Sequence, residues 1–507
     1  MPDIISSKIP DKIYTNQQVK VGERELAKIK GLEMYTLMRR AGQAVYALIQ
    51  LQFPNADRIL VFCGSGNNGG DAFVVATLAK LDGCRVSLVF NGQKERLSED
   101  SLRAYQEWID AGGEITKIQK EDDIASSFDV IVDGLLGIGV SGRVRPEIQN
   151  IISKINHSPI PKVSIDVPSG LCSDTGSKLG EAIKSDHTVT FIGVKQGLLT
   201  GHARNYVGQL CFAGLGIEDD FQRRYPSNVF LLSKAELLNY LPRRESIAHK
   251  GANGRLLCLG GNSGYSGAIN LCSKAAARTG TGLTKVLCHK DSSVSLQVSC
   301  PEVMTQNWCG DNRELRDALL FADVVALGPG MGRNQWAKQL YMRAGDSDKP
   351  KVVDADALYF LSLAPNKDPY RILTPHPGEA SMLLGVTIEE IEQDRFSSVR
   401  DLHEKYGGVI VLKGAGTLIY DGQSIYVCNA GSPAMASGGM GDVLTGIISS
   451  LLAQGQSLID AAKTGVLIHS VAADRIAKRE GPVGLLASDV IQEARRVLNL
   501  WLGERTL

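Results

Sequence analysis

The chain has 507 residues, with 55 basic side chains balanced by 55 acidic ones. It is long enough for two or three cores and has no net field to draw it to nucleic acid or an acidic membrane surface. Met1 to Val21 holds no apolar run of signal-peptide length, and nowhere do about 20 apolar residues follow one another, so neither a secretory leader nor a helical span is expected. The ten cysteines are scattered without CxxC or zinc spacing. Cys63, Cys258, Cys288 and Cys428 sit in or beside apolar runs, as small core residues do in a reducing compartment. A cytoplasmic protein is the expectation, with small-molecule substrates as partners, no nucleic acid or membrane, and a homo-oligomer as the assembly.

In chain order, residues 15–52 carry apolar side chains at helical spacing, among them Leu26, Ile29, Met34, Leu37, Met38, Ala41, Val45 and Leu48. A short apolar run, 58–63, then reads as a buried parallel strand. It leads into Gly64-Ser65-Gly66-Asn67-Asn68-Gly69-Gly70-Asp71, followed by a helical face over 72–81. Strand, glycine-rich turn and helix present backbone N–H groups where phosphate binds well, the glycines permitting positive φ and close ligand approach. The Asn pair and Asp71 add oxygens able to hold a cation or a ribose. Further strands are read at 85–90, 129–132, 162–165 and 187–192, with a helix at 102–109. Strands alternating with helices imply a parallel, doubly wound sheet, which binds ligands outside the carboxyl ends of its strands. Asn67, Asn68, Asp133, Asp166, Ser169 and Lys195 all fall at such ends. One Asp there is a turn former or cap, whereas three beside glycine-rich loops indicate a site. For Lys195 a solvated strand-end role and a phosphate- or carboxylate-tuning role are both open.

The segments 67–71, 133–143, 166–170, 174–176 and 191–197 resemble the NAD(P)H-hydrate epimerase family, over about residues 10–215. That family interconverts the R and S forms of hydrated NADH and NADPH with a bound potassium ion. The resemblance implies substrate contacts at Asn67, Asn68, Gly69, Gly70 and Asp71, at Gly137, Ile138, Gly139, Val140, Ser141, Gly142 and Arg143, and at Asp166. It implies potassium ligands at Asn68, Asp133 and Ser169. Ala72 stands where the family has Gly, and Ile138 where it has Thr; neither change removes a polar ligand. Epimerising a hemiaminal-type carbon needs proton transfers, and a strand-end carboxylate such as Asp166 can act as general acid and base.

Residues 217–250 are charged and Pro-bearing, so two domains are expected, 1–230 and 240–507. The second half repeats the strand–polar loop–helix pattern with strands at 255–259, 284–287, 323–327, 351–353, 371–373 and 409–412. Their loops carry Gly328-Pro329-Gly330-Met331-Gly332, Asp354-Ala355-Asp356, Thr374-Pro375-His376-Pro377-Gly378-Glu379 and Lys413-Gly414-Ala415-Gly416-Thr417. The most informative stretch is Gly438-Gly439-Met440-Gly441-Asp442 entering an apolar helix. Glycine amides there can face a transferring phosphoryl group, and an Asp in the first turn can accept a hydroxyl proton. The alternative role for Asp442 is to complement the helix dipole.

This set resembles the ribokinase-like superfamily and, within it, the nucleotide-dependent NAD(P)H-hydrate dehydratases, over about residues 245–500. The fold class implied is α/β: two doubly wound domains, an N-terminal Rossmann-like and a C-terminal ribokinase-like three-layer sandwich. The resemblance implies hydrate contacts at Ala268, Gly332, His376 and Asp442, and nucleotide contacts at Lys413, Gly414, Ala415, Gly416, Thr417 and Gly441. Met440 stands where a small or hydroxyl residue is usual. Mg²⁺ would accompany the nucleotide, and the fused layout favours ADP over ATP as donor. Asp442 would deprotonate the ring hydroxyl, phosphorylation would make it a leaving group, and the ring nitrogen would expel phosphate. Two other readings fit the residues: a small-molecule kinase with a regulatory N-terminal domain, and a non-catalytic scaffold. Asp133, Asp166 and Asp442 argue against the scaffold.

Overall fold

The computed structural model describes residues 5–116, 128–139 and 142–504. Its chain divides into two compact units, Met1–Phe230 and Leu231–Leu507.

In the first unit the sheet strands, numbered along the chain, are β1 (Arg58–Cys63), β2 (Arg85–Phe90), β3 (Ile115–Thr116), β4 (Val130–Gly134), β5 (Lys162–Ile165), β6 (His187–Phe191) and β7 (Gln209–Ala213). They lie in the order β3-β2-β1-β4-β5-β6-β7, every pair parallel. The order reverses between β1 and β4, and at that switch point a doubly wound sheet opens a crevice. Successive side chains of β1 point to opposite faces. Ile59, Val61 and Cys63 pack with the helices Asn16–Lys30, Met34–Gln52, Asn67–Leu81 and Glu99–Asp110. Leu60 and Phe62 pack with Ile148, Ile152 and Ile155 of Pro146–His157. Each such side chain contributes about 1.5–3 kcal/mol on full burial, and this is why the strands read as unbroken apolar runs.

Beyond shifts of one to three residues at strand and helix ends, three features of the first unit differ from the expectation. The segment 15–52 is two helices, because Gly31 takes the left-handed conformation (φ 61°) and caps the first one; Ile29, counted in the apolar face, is exposed. The helix after β1 starts at Asn67 rather than Ala72. A short ribbon is new: Lys12–Tyr14 pairs antiparallel with Val229–Leu231 and parallel with Val194–Lys195, in a register that sets Tyr14 beside Lys195.

The second unit's strands are β8 (Arg255–Leu259), β9 (Leu283–Cys288), β10 (Met304–Asn307), β11 (Val324–Leu327), β12 (Lys351–Val353), β13 (Arg371–Leu373), β14 (Val409–Leu412), β15 (Thr417–Tyr420) and β16 (Ile425–Cys428). Their order is β10-β9-β8-β11-β12-β13-β14-β15-β16, parallel up to β14 and antiparallel through the last hairpin. Leu256, Cys258, Val324 and Ala326 pack with Ser266–Thr279, Met440–Ala453, Leu458–Glu480 and Ala487–Glu504, while Leu257, Leu259, Val325 and Leu327 are buried on the other face. A sheet covered on both faces is a three-layer α/β sandwich. Among the described residues no helix is long and apolar enough to cross a membrane.

Candidate active sites

At the switch point of the first unit lies a cavity of about 560 Å³. Its walls include Asn67, Asn68, Asp71, Gly137, Ile138, Gly139, Asp166 and Lys195. Gly69 and Gly70 stand behind that wall, and neither has positive φ. Gly69 is required by packing: a Cβ there would lie 1.9 Å from the Gly64 carbonyl oxygen. That close approach lets the helix begin at Asn67, directly at the strand end. Gly142 and Arg143 are exposed, and Val140 and Ser141 lie outside the described residues.

Asp166 follows β5 with φ 62°, a left-handed conformation that costs a non-glycine residue about 1–3 kcal/mol and persists only where its surroundings impose it. The surroundings here are electrostatic. Asp166 Oδ1 accepts from Lys195 Nζ (2.5 Å), Thr190 Oγ1 (3.1 Å) and the Phe191 amide (3.2 Å). Lys195 Nζ also donates to the Phe191 carbonyl (3.0 Å), and its side chain is 1% exposed. Lys195 is therefore a buried ion-pair partner of Asp166, and the solvated-lysine reading falls. Two further carboxyls face the same pair. Glu23, on the helix Asn16–Lys30, lines the cavity, and burial pushes it up to about 7, opposed by Lys195 and reinforced by Asp166. Asp71 is raised well above its ordinary value, by burial first and then by Asp166 and Glu23. Sequence reasoning missed Glu23, because a charged residue in Gly22-Glu23-Arg24-Glu25 reads as a solvated helix face.

Asp133, at the end of β4, is fully buried. Its Oδ2 accepts from Ser164 Oγ (2.7 Å) and the Ser169 amide (2.8 Å), its Oδ1 from Ser169 Oγ (2.5 Å) and the Leu135 amide (3.3 Å). Burial raises the carboxyl, and these donors pull it back. Asn68 Nδ2 donates to the Leu136 carbonyl (2.7 Å), and the Leu136 amide donates to Ser169 Oγ (2.9 Å). Asn68, Asp133 and Ser169 thus meet around one peptide and join two strand-end loops to a helix start. Asp133, Ser169 and the Leu136 carbonyl bring oxygens together, as a hard cation requires, while Asn68 turns its Nδ2 to that carbonyl. Among the described residues no three or more His, Cys, Asp or Glu are grouped to hold a metal.

In the second unit the residues from separate loops converge on the start of the helix Met440–Ala453. Asp354, after β12, is buried; its Oδ1 takes Lys413 Nζ at 2.7 Å and its Oδ2 takes Thr445 Oγ1 at 2.7 Å. Lys413 Nζ also lies 3.6 Å from Glu379 Oε2. Gly441 faces that pair so closely that a Cβ would sit 3.2 Å from Lys413 Nζ. Asp442, one residue on, is pushed up to about 7 by burial, with Asp354 and Glu379 raising it and Lys413 lowering it. Glu379 is likewise raised to about 7 by burial. His376 caps the helix Pro377–Leu384: its Nδ1 accepts the Gly378 and Glu379 amides. Burial and then Lys413 lower its basicity.

Gly332 donates its amide to Asp356 Oδ2 (2.8 Å), which also pairs with Arg333. Ala268 lies in the first turn of Ser266–Thr279, against Gly330. Gly414 is held over the buried Arg395 guanidinium, which donates to the Leu412 and Lys413 carbonyls. Ala415 and Gly416 complete the turn into β15, and Thr417 Oγ1 closes it on the Gly414 carbonyl (3.2 Å). Thr445 was absent from the sequence reading, since a Thr three residues beyond Asp442 inside an apolar helix carries no loop signal.

A switch-point crevice with a strained, lysine-paired aspartate, and a glycine-entered helix beside a Lys–Asp pair, define a two-domain α/β enzyme whose second unit has the ribokinase-like fold. A solved ribokinase-like superfamily protein from Enterococcus faecalis aligns with a TM-score of 0.51 at 29% identity, over 55% of this chain and 98% of its own. A family model described as NAD(P)H-hydrate dehydratase matches residues 256–496, and one described as YjeF-related protein N-terminus matches 34–197. The bifunctional NAD(P)H-hydrate repair enzyme of Vibrio cholerae is 49% identical over 97% of this chain and 99% of its own length. That of Escherichia coli is 42% identical over 97% and 95%. The chain belongs to the family of bifunctional NAD(P)H-hydrate repair enzymes.

Proposed function

We propose that the first unit, 1–230, interconverts the R and S hydrates of NADH and NADPH, and that residues 240–507 dehydrate the S hydrate using ADP, giving AMP and phosphate. The observation that carries this reading is Asp442, raised to about 7 by burial at the glycine-lined start of its helix. A base poised near neutrality suits removal of the hydrate's hydroxyl proton. The amides of 438–441 face the phosphoryl group as charge develops, and Lys413, held by Asp354, attracts the nucleotide phosphates. Magnesium, when bound with the nucleotide, would supply positive charge that neutralises the phosphates. Once the hydroxyl is phosphorylated, the ring nitrogen expels phosphate to leave a C6–N1 iminium, and loss of a C5 proton to water re-forms the C5–C6 double bond.

In the first unit Asp166 is the acid/base residue. Asn67, Asn68, Asp71 and residues 137–139 line the hydrate's crevice. Potassium held by Asn68, Asp133 and Ser169 would fix the loops around it. Gly69 and Gly70 belong to the same segment and shape the helix start behind the crevice wall. Assembly as a homo-oligomer in the cytoplasm is part of the same reading, and cysteines buried as small core residues, such as Cys63, Cys258 and Cys288, accord with that compartment.

The test is absorbance at the NADH band, with hydrated NADH and either ADP or ATP. NADH released with AMP and phosphate from ADP is expected. A stable phosphorylated hydrate would instead make the second unit a small-molecule kinase.

A further inference from the structure

Hydrate epimerisation involves two protons. To open the ring of the R form, the C6 hydroxyl loses its proton as the C6–N1 bond breaks, and its electron pair remains on N1, which must be protonated. The product is an open aldehyde carrying an N1–H enamine. Rotation about the C5–C6 single bond turns the other carbonyl face to N1. Closure then reverses both transfers: N1 returns its proton as it attacks C6, and oxygen regains its own. Atoms and electrons balance with no oxidant, reductant or co-reactant. One carboxylate is poorly placed to serve oxygen and nitrogen at once, so the crevice needs a second carrier.

Building on the proposed epimerase reading, we infer that Glu23 is that second catalytic residue, donating to and recovering the proton from the ring nitrogen while Asp166 serves the hydroxyl. The geometry carries it. Glu23 lines the same cavity as Asp166, from a different element, the helix Asn16–Lys30. That helix is anchored to the crevice at its first residue, where the Asn16 amide donates to Asp174 Oδ1 (2.6 Å) and Asn16 Nδ2 donates to the Ile138 carbonyl. Asp166 has its Oδ1 committed to the donors of Lys195, Thr190 and Phe191, which fix the carboxylate at the strand end beside the cavity. Lys195 itself is buried and engaged, so it is unsuited to shuttle.

The charged groups around Glu23 are Lys195, Asp166, Asp71, Arg24 and Asp100. Their balance with burial leaves Glu23 near 7, where it can both give and take a proton. Asp71, in the same wall, is raised well above its ordinary value by burial first and then by Asp166 and Glu23. The two working carboxyls thus differ in environment, as an acid and a base in one site must.

The experiment uses the full chain and follows R-to-S conversion by chromatography without nucleotide, from pH 5.5 to 8.5. Wild-type conversion should fall as pH rises through about 7, as Glu23 loses its proton. Glu23→Gln should slow conversion by roughly a hundredfold or more, with S-hydrate dehydration within twofold of wild type. Glu23→Asp should recover part of the rate. Wild-type conversion that is flat or rising through pH 7 overturns the inference without any variant, as does a Glu23→Gln rate within threefold of wild type. A wild-type chain that does not interconvert the hydrates at all overturns the epimerase reading instead, a distinguishable failure.

Discussion

Replacing Lys195 by Met removes the ammonium from a pair whose side chains are 1% and 11% exposed, while keeping most of the aliphatic volume. Asp166 then retains the Thr190 hydroxyl and the Phe191 amide but holds an uncompensated charge. Breaking a buried pair from one side costs about 3–5 kcal/mol. Because Asp166 also borders a cavity open to solvent, the lower end applies, about 3 kcal/mol. At 1.4 kcal/mol per decade, that is roughly a hundredfold in the folding equilibrium of the first unit. The strained φ of Asp166 has to be held by the remaining donors. Adding Asp166→Asn to Lys195→Met should therefore restore about 1–3 kcal/mol, because the two substitutions act on one contact. The assay is urea unfolding of the 5-fluorotryptophan protein by ¹⁹F NMR, since Trp108 is the only tryptophan of Met1–Phe230. A Trp108 transition unmoved by Lys195→Met, or a double variant as unstable as the sum of the singles, would refute the ion-pair argument.

Asp442→Ala should abolish dehydration while nucleotide affinity, measured calorimetrically, stays within a few-fold, because the carboxylate sits beside the phosphate-facing amides rather than among them. In the wild type the dehydration rate should climb as pH rises through about 7, the value to which burial pushes Asp442. Stability has the opposite slope. The folded-state values of Asp442 and Glu379 lie above their ordinary carboxylate range near 4, so their contribution is full below about pH 4 and is lost as pH rises through about 7. Urea midpoints of the Trp308, Trp336 and Trp501 resonances should fall over that window. Epimerisation should need potassium, with R-to-S conversion slower in a large organic cation. Asp133→Ala should impair it far more than it impairs dehydration, and equal rates in both salts would leave Asp133 a structural turn residue.

The strands were legible because a parallel sheet covered on both faces leaves continuous apolar runs, and β1, β2, β5 and β8 have the bounds read from the residues. The loops at their carboxyl ends stood out for the same reason: polar and glycine residues break such runs where the chain turns. What stayed hidden depends on packing at a distance. Gly69 looks like loop chemistry in the sequence, but it is helical and answers to the Gly64 carbonyl. For Lys195 the residues leave a solvated and a carboxylate-tuning role open, and the burial of its side chain beside the ribbon of Lys12–Tyr14, paired with Asp166, decides for the second. The edge strands β7 and β10 carry polar residues such as Gln209, Thr305 and Gln306, and the hairpin β15–β16 is antiparallel and short, so none gave the buried-strand signal. Glu23 became visible only when its helix was placed over Asp166.

The most direct measurement gives the full chain pure R hydrate with ADP and follows R hydrate, S hydrate and NADH together in wild type, Asp166→Asn and Asp442→Ala. Two sites acting in series on one substrate predict complete conversion to NADH in the wild type, R hydrate left untouched by Asp166→Asn, and an R–S mixture without NADH from Asp442→Ala. NADH formed from R hydrate by Asp166→Asn at the wild-type rate, or both steps lost together in either variant with the fold intact, would contradict it.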